Sequence, residues 1–337
     1  MPRAPSVGVV VANYNNAAFV ERAIHSVAQQ SFRNIEVVVI DDASTDGSQA
    51  VIRRCLTELN DPRFCFLPSD RNEGQAGALL RGLGELERGS PFVCFLDSDD
   101  VWYPEFVARH LEVQLNSDFP VAVTFCDSHL IDGDDQLLAG TAWWFDSGEP
   151  GHWEDRDIES IHIPRVESDG SATYPVRPRL GFRPRWSPHG AASTMAGMMF
   201  RRSFVDLVLV PPAHELRLWV DFYLSTFASL LTGVIAIHQS LYAYRIHGDN
   251  LHSNARVLGG PYNPSIREWA PIRREGLALI RNVMSRNESA ILSAFGHDRY
   301  REAQAMLAAD LSPAAHRPDR RNGWYRNLLP RRARPDA

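Results

Sequence analysis

Phe92-Val-Cys-Phe-Leu-Asp-Ser-Asp-Asp100 joins five apolar residues to three carboxylates within four positions. The apolar run is typical of a strand buried inside a parallel sheet. Because unpaired charge is too costly to bury, we expect the acids at the carboxyl end of that strand, where open α/β sheets bind ligands. Crowded carboxylates at such an edge favour a hard divalent cation, although an acidic cap of the following helix would explain the same residues.

Strands and helices alternate along most of the chain. Apolar, β-branched runs predict strands at 7–12, 35–40, 64–67, 92–96, 121–125, 233–237 and 241–245, with a further strand leading into a short helix between 193 and 208. Helical spacing of apolar residues fills most of the intervals. This alternation with short connections predicts an α/β fold with a mostly parallel central sheet flanked by helices. Helical patterns after Gly259 predict a C-terminal extension.

The predicted domain organisation has one large domain at 1–255, a helical extension at 256–312 and a basic tail at 313–337. Within the first domain, the regular pattern stops between 132 and 189, where the chain is rich in Pro, Gly, Trp and Asp. Such a long irregular segment indicates a variable insertion or an acceptor-binding region. The Arg317–Arg334 segment predicts either a flexible tail or a peripheral contact with an anionic membrane.

Composition excludes several classes of protein. The 337 residues contain no lysine, so all 35 basic residues are arginine. Walker-type phosphate loops, Schiff-base enzymes and protein kinases each need a particular lysine and are therefore excluded. A net charge of -6 argues against nucleic acid as the main partner.

No targeting or membrane-spanning segment is recognisable in the sequence. The N-terminal apolar run at 7–12 is too short for a signal-peptide core, and no apolar run approaches the ~18 residues of a membrane span. We therefore expect a cytoplasmic protein. The four cysteines show neither disulfide nor metal-site spacing, and two of them fall in predicted core strands.

Four short motifs lie at the predicted strand ends. They are Val10-Val-Ala-Asn-Tyr-Asn-Asn16, Val39-Ile-Asp-Asp-Ala-Ser-Thr-Asp-Gly-Ser48, Leu96-Asp-Ser-Asp-Asp100 and Tyr244-Arg-Ile-His-Gly-Asp-Asn250. In this order, the chain resembles inverting family 2 glycosyltransferases of the GT-A fold, closely over 5–130 and more loosely over 193–253. The resemblance implies an enzyme that moves a sugar from a nucleoside diphosphate to an acceptor hydroxyl, in polysaccharide, glycolipid or glycoconjugate synthesis.

The resemblance assigns the donor nucleotide to the first two motifs. It implies that Tyr14 stacks on the base, that Asp42 hydrogen-bonds the edge of the base and that Ala12 supplies a backbone contact. A carboxylate acceptor suits the N3–H donor of uracil or thymine, which favours UDP- or dTDP-sugars. The alternative for Asp42 is a residue of the strand-end turn.

The third and fourth motifs are implied to bind the metal and the diphosphate. Asp97-Ser98-Asp99 matches the D-x-D motif, with Asp99 as a direct ligand of Mn²⁺ or Mg²⁺ and Asp97 directed at the ribose or a metal-bound water. His247 is implied to complete the metal shell or to reach the phosphates. Ser98 and Arg245 are implied to contact the bound nucleotide, Arg245 on its diphosphate side. The role of Asp100 stays open between sugar hydroxyls and a helix cap.

Asp221 matches the position of the family's general base. Inversion by a single displacement needs one carboxylate to take the acceptor proton. The family usually places another acid close to this base, whereas Trp219-Val220 precede it here, and the N-terminus of a helix also stabilises an anion for structural reasons alone. A sugar-nucleotide-binding protein without turnover and a nucleotidyltransferase are the alternative functions.

Overall fold

The computed structural model of the chain describes a defined set of residues. These are 4–86, 89–117, 121–141, 154–155, 165–166, 172–173, 180–183, 194–213, 216–217, 219–248, 250 and 269–312. The basic tail from Arg317 to Arg334 and most of the segment 132–189 lie outside them, as does the predicted domain boundary at 255.

Thirteen strands are present in the described residues. They are β1 (Val7–Asn13), β2 (Ile35–Asp41), β3 (Phe64–Pro68), β4 (Phe92–Asp97), β5 (Val101–Trp102), β6 (Val123–Ile131), β7 (Leu137–Thr141), β8 (Glu154–Asp155), β9 (Arg165–Val166), β10 (Ala172–Thr173), β11 (Leu180–Arg183), β12 (Met198–Arg201) and β13 (Val234–Arg245).

The described residues also form eight α-helices. They are α1 (Val20–Ala28), α2 (Ser48–Leu59), α3 (Gly74–Glu85), α4 (Phe106–Asn116), α5 (Arg202–Val208), α6 (Val220–Leu231), α7 (Trp269–Arg286) and α8 (Glu288–Asp310). Gly296, at φ +82°, interrupts α8. Across these ranges, none of the helices has the combination of length and apolar character that crossing a membrane requires.

The main sheet has the strand order β3-β2-β1-β4-β12-β6-β13-β11-β8. The first four strands are parallel, as predicted from the strand–helix alternation. β12 then inserts antiparallel between β4 and β6, and β6 pairs in parallel with β13. The α/β fold is confirmed, and its second half is a mixed sheet.

Strand register places the ends of β1, β2 and β4 at one edge of the sheet. Asn13 lies opposite Asp41, and Ala12 lies opposite Asp97. The motif residues that follow these strands must therefore emerge side by side. The sheet alone brings the first three motifs together.

β13 is one long strand where the sequence predicted two, at 233–237 and 241–245. Its register against β6 shifts between Ile237 and Ser240 and again between Ser240 and Tyr242. Such bulges bend a strand and re-aim its end. The second half of β13 pairs with β5, which directly follows Asp100. This pairing brings the motif that begins at Tyr244 close to the motif that ends at Asp100.

The sheet is covered on both faces, as in other doubly wound folds. On one face α1, α2 and α4 pack over residues such as Val9, and on the other α3 and α5 to α8 pack over residues such as Val10. A Cβ atom at Gly276 of α7 would lie 2.7 Å from the ring of Phe222 of α6. The C-terminal helices therefore share a core with the helix that carries Asp221.

Candidate active site

The turn from Asp97 to Asp100, here called the acidic turn, is anchored to β1. The Ser98 N–H donates to the carbonyl of Ala12 at 3.1 Å, and the Ser98 hydroxyl bonds Asn16 Nδ2 at 3.0 Å. Ser98 is buried, whereas Asp97 and Asp99 on either side of it are half-buried. Ala12 and Ser98, both predicted to contact the nucleotide, fix the turn to the sheet through these bonds.

The carboxylates of the acidic turn oppose one another's ionisation. Burial, together with the charges of Asp99 and Asp221, raises the pKa of Asp97 to about 7, while a hydrogen bond from Gln75 lowers it. Burial also raises the pKa of Asp100 well above its usual range, and Asp99 and Asp97 add to that rise. A divalent cation at this edge would offset the repulsion that these shifts record.

Asp99 and His247, the two residues predicted to bind the metal, lie within hydrogen-bond distance of each other. Asp99 Oδ2 and His247 Nε2 lie 3.2 Å apart, and their side chains are 20% and 11% exposed. Adjacent ligands of an octahedral ion with bonds of about 2.1 Å lie about 3 Å apart, so the pair fits a shared ion. The ring of His247 is also held against Phe19, with 4.8 Å between ring centroids.

Arg245, which was predicted to contact the diphosphate, is bonded in the structure to the backbone of the acidic turn. Its side chain is completely buried and pairs with Asp135 at 2.6 Å. Nε donates to the carbonyl of Asp99 at 2.7 Å, and Nη1 donates to the carbonyl of Asp132 at 2.8 Å. The Arg245 backbone N–H donates to Asp100 Oδ1 at 2.9 Å, so Asp100 also has a structural role.

Asp42 is buried and joined to the start of α3. Its two carboxylate oxygens accept the backbone N–H groups of Glu73 and Gly74 at 2.8 and 2.9 Å. Each oxygen keeps a second lone pair, so these bonds leave Asp42 able to accept from a base as well. Asp42 directly follows β2, so its carboxylate connects the end of that strand to the start of α3.

The next two N–H groups of α3 bond to the segment before α6. Gln75 donates to the carbonyl of Arg217 at 2.9 Å, and Ala76 donates to the carbonyl of Leu216 at 3.1 Å. Gly74 permits the approach, because it has φ +77° and a Cβ there would lie 2.8 Å from Arg217 Cα. The start of α3 therefore fixes where the chain enters α6.

Gln75 is a site residue that sequence reasoning missed. Its side-chain oxygen accepts the Val220 N–H at 3.2 Å, and the same side chain hydrogen-bonds Asp97. It therefore connects the acidic turn to the first turn of α6, in which Asp221 lies. Only its place next to Gly74 in a polar loop could have drawn attention to it.

Asp221 is half-buried in the first turn of α6, and its Oδ1 accepts the Phe222 N–H at 2.7 Å. The charge of Asp221 contributes to the raised pKa of Asp97, after burial and the charge of Asp99. Trp219, which precedes the helix, has φ +66°, a left-handed conformation that is costly for a bulky residue. Strain of this kind is concentrated at functional sites.

Tyr14 lies at the open side of the edge. Its side chain is 49% exposed, among the most exposed large apolar side chains of the described residues. The neighbouring strand ends contain further left-handed residues, Asn15 at φ +55° and Ala43 at φ +61°. Tyr14 follows Asn13, whose carbonyl accepts the Asp42 N–H at 2.9 Å, so the two residues come from adjacent strand ends.

Comparison with known proteins decides the family. The sequence model of the Glycosyl transferase family 2 matches residues 8–201, more than half of the chain. The chain belongs to this family. The predicted family, fold and enzyme class are thereby confirmed, and the match spans the first three motifs.

Proteins with similar sequences come from several bacteria. An uncharacterised glycosyltransferase of Nostoc sp. is 29% identical over 253 residues, which cover 74% of this chain and 67% of that protein. The succinoglycan biosynthesis protein ExoO of Rhizobium meliloti is 37% identical over 131 residues, 39% of this chain but only 36% of ExoO. Crystal structures of S. aureus TarS share the fold, with a TM-score of 0.52, 15% identity and coverage of 96% of this chain and 75% of that one.

Proposed function

We propose that this family 2 glycosyltransferase is an inverting, metal-dependent enzyme that transfers a sugar from a UDP- or dTDP-sugar to an acceptor hydroxyl. The observation that carries the proposal is the convergence of the Asp99–His247 pair, Asp97 and Asp221 at one edge of the sheet. A hydroxyl acceptor, a sugar donor and a diphosphate leaving group need a base and a cation-binding site, and this edge offers both.

Asp221 acts as the general base in this proposal. Its carboxylate takes the proton of the acceptor hydroxyl while the hydroxyl oxygen forms a bond to the anomeric carbon. The bond from that carbon to the diphosphate breaks on the opposite side, so the configuration inverts. Asp221 lies in the first turn of α6, where the positive end of the helix dipole favours a negatively charged side chain.

Asp99 and His247 would hold Mn²⁺ or Mg²⁺. Their spacing and mixed oxygen–nitrogen donors suit either ion. The bound ion would neutralise charge on the departing diphosphate. This contribution matters here because Arg245 is buried and bonded within the protein.

Relatives support the donor and the pathway class. WfgD of Escherichia coli, 32% identical over 110 residues, is named a UDP-Glc:α-D-GlcNAc-diphosphoundecaprenol β-1,3-glucosyltransferase. UDP-Glc carries its glucose in the α configuration, so the β linkage in that name records inversion. Together with ExoO, this relative favours an acceptor in polysaccharide or glycolipid synthesis.

A donor screen tests the proposed function. The full chain is incubated with UDP-, dTDP- and GDP-sugars and Mn²⁺, and the release of nucleoside diphosphate is followed. We expect slow hydrolysis and binding with one UDP- or dTDP-sugar, and a sugar product of inverted anomeric configuration by NMR. A preference for GDP-sugars, or retention of configuration, would overturn the proposal.

Gln75→Leu should lower transfer about 10-fold in a folded protein. Leucine has a similar size but loses the bonds to Asp97 and to the Val220 N–H, each of which contributes ~1 kcal/mol to the position of these groups. The expected loss appears mainly in kcat, because Gln75 positions the base helix. Steady-state kinetics against donor concentration separates kcat from KM.

Gln75→Glu is the matched comparison. It keeps an acceptor for Val220 but places a carboxylate where the amide donated to Asp97. We expect this variant mainly to raise the donor KM. If the two variants changed kcat and KM in the same way, or if neither changed them, Gln75 would not connect the acidic turn to the first turn of α6.

A further inference from the structure

A group of metal-binding side chains lies away from the active site, between α1 and α2. Glu21 and His25 are one turn apart on α1, and Cys55 faces them from α2. One ligand atom from each, a carboxylate oxygen, an imidazole nitrogen and the sulfur, lies within 4.8 Å of the other two. The sequence hid this group, because 30 residues separate His25 from Cys55.

The distances are close to those of a tetrahedral zinc site. Cys55 Sγ and His25 Nε2 lie 3.9 Å apart. With bonds of about 2.3 Å to sulfur and about 2.0 Å to nitrogen, a tetrahedral ion holds these atoms about 3.6 Å apart. A movement of a few tenths of an ångström would therefore bring Cys55 Sγ and His25 Nε2 to the distance that a shared ion requires. The carboxylate of Glu21 can adjust as well, because this long side chain is half-exposed.

We propose that Glu21, His25 and Cys55 form a second metal site, which binds Zn²⁺ or another borderline transition-metal ion with the fourth position open to water. Sulfur and imidazole ligands select such ions over Mg²⁺ and Ca²⁺, which prefer oxygen. The Asp99–His247 pair contains no sulfur and suits harder ions. The two sites would thus differ in the metal that they take, and the second does not rest on the proposed function.

The surroundings allow an ion to enter. Glu21 pairs with Arg54 at 2.8 Å, and both side chains face solvent, 38% and 57% exposed. Arg54 can therefore leave when a cation replaces it. Cys55 is buried at the inner end of the group, so the imidazole and carboxylate lie between the thiol and the solvent.

Binding must displace the thiol proton. Burial and the nearby carboxylates of Glu21 and Glu58 raise the pKa of Cys55 to about 11, against a smaller lowering by Arg54. One proton is released for each ion that forms a bond to the sulfur, and this proton can be counted by calorimetry in two buffers.

Cobalt tests the site, because only a sulfur ligand gives Co²⁺ a thiolate charge-transfer absorption. The full chain is freed of metal with EDTA, exchanged into buffer and titrated with Co²⁺. We expect the near-ultraviolet band to grow to one ion per chain, together with visible absorption of a tetrahedral ion, and Zn²⁺ to bleach both. The Asp99 site can bind Co²⁺ without contributing to the thiolate band.

Matched variants locate the band. Cys55→Ser should abolish it and His25→Gln should weaken Co²⁺ binding at least ~10-fold, since changes around metal ligands alone act on that scale. Cys65→Ser is the control, because Cys65 is an exposed thiol on β3. Absence of the band in the wild type, its survival in Cys55→Ser or its loss in Cys65→Ser would overturn the proposal. Circular dichroism in EDTA verifies that each variant is folded.

Discussion

Replacing Asp221 with asparagine should leave nucleotide binding intact and reduce sugar transfer by at least ~10²-fold, the range expected for loss of a general base. The amide has the size of the carboxylate but cannot take the acceptor proton. Its oxygen can still accept the Phe222 N–H, which is bonded at 2.7 Å in the wild type, so α6 should begin as before. Transfer rates and the Kd for UDP measure the two effects separately.

Asp206→Asn is the control for Asp221. Asp206 lies on α5, is 58% exposed and pairs loosely with Arg202 at 3.6 Å, so its loss should leave transfer unchanged. Normal turnover by Asp221→Asn would remove this residue from the mechanism. Loss of UDP binding in the same variant would instead indicate that Asp221 maintains the shape of the site.

Asp99→Ala should remove the dependence of nucleotide binding on Mn²⁺. Alanine takes away one of two proposed ligands, and His247 alone leaves the ion without a protein carboxylate. We expect the Kd for UDP in Mn²⁺ to rise at least ~10-fold, towards its value in EDTA. Titration calorimetry with and without the metal measures both values.

Asp134→Ala is the control for Asp99→Ala, because it removes the same charge outside the proposed metal site. Asp134 is exposed in the turn after β6, and removing it leaves the Asp99–His247 pair untouched. We expect the metal dependence of this variant to equal that of the wild type. Equal affinity of the wild-type protein for UDP in Mn²⁺ and in EDTA would disprove the metal assignment itself.

Local patterns predicted the half of the site that depends on neighbouring parallel strands. β-branched runs followed by polar turns identified β1, β2 and β4, and parallel register then brings Tyr14, Asp42 and Asp99 to one edge. No side-chain contact had to be known for this result, because the ends of adjacent parallel strands always meet.

Contacts between distant segments escaped prediction. β12 lies between β4 and β6 because it pairs with both strands. The sequence of its four residues does not indicate which strands it pairs with, so its position could not be predicted. The resemblance of the fourth motif to the family implied that Arg245 contacts the diphosphate. In the structure its side chain is buried, and its Nε donates to the carbonyl of Asp99, a contact between segments far apart in the sequence.

The first N–H groups of α3 have consequences for how the site responds to ligands. All four, from Glu73 to Ala76, have acceptors within the chain, namely Asp42 and two backbone carbonyls. Their amide hydrogens should exchange slowly with solvent deuterium even in the free protein, because each must open before it exchanges. The backbone at the start of α3 is therefore already ordered before a donor nucleotide binds. Binding then does not have to order this segment, and the affinity of the nucleotide depends mainly on the contacts that it makes.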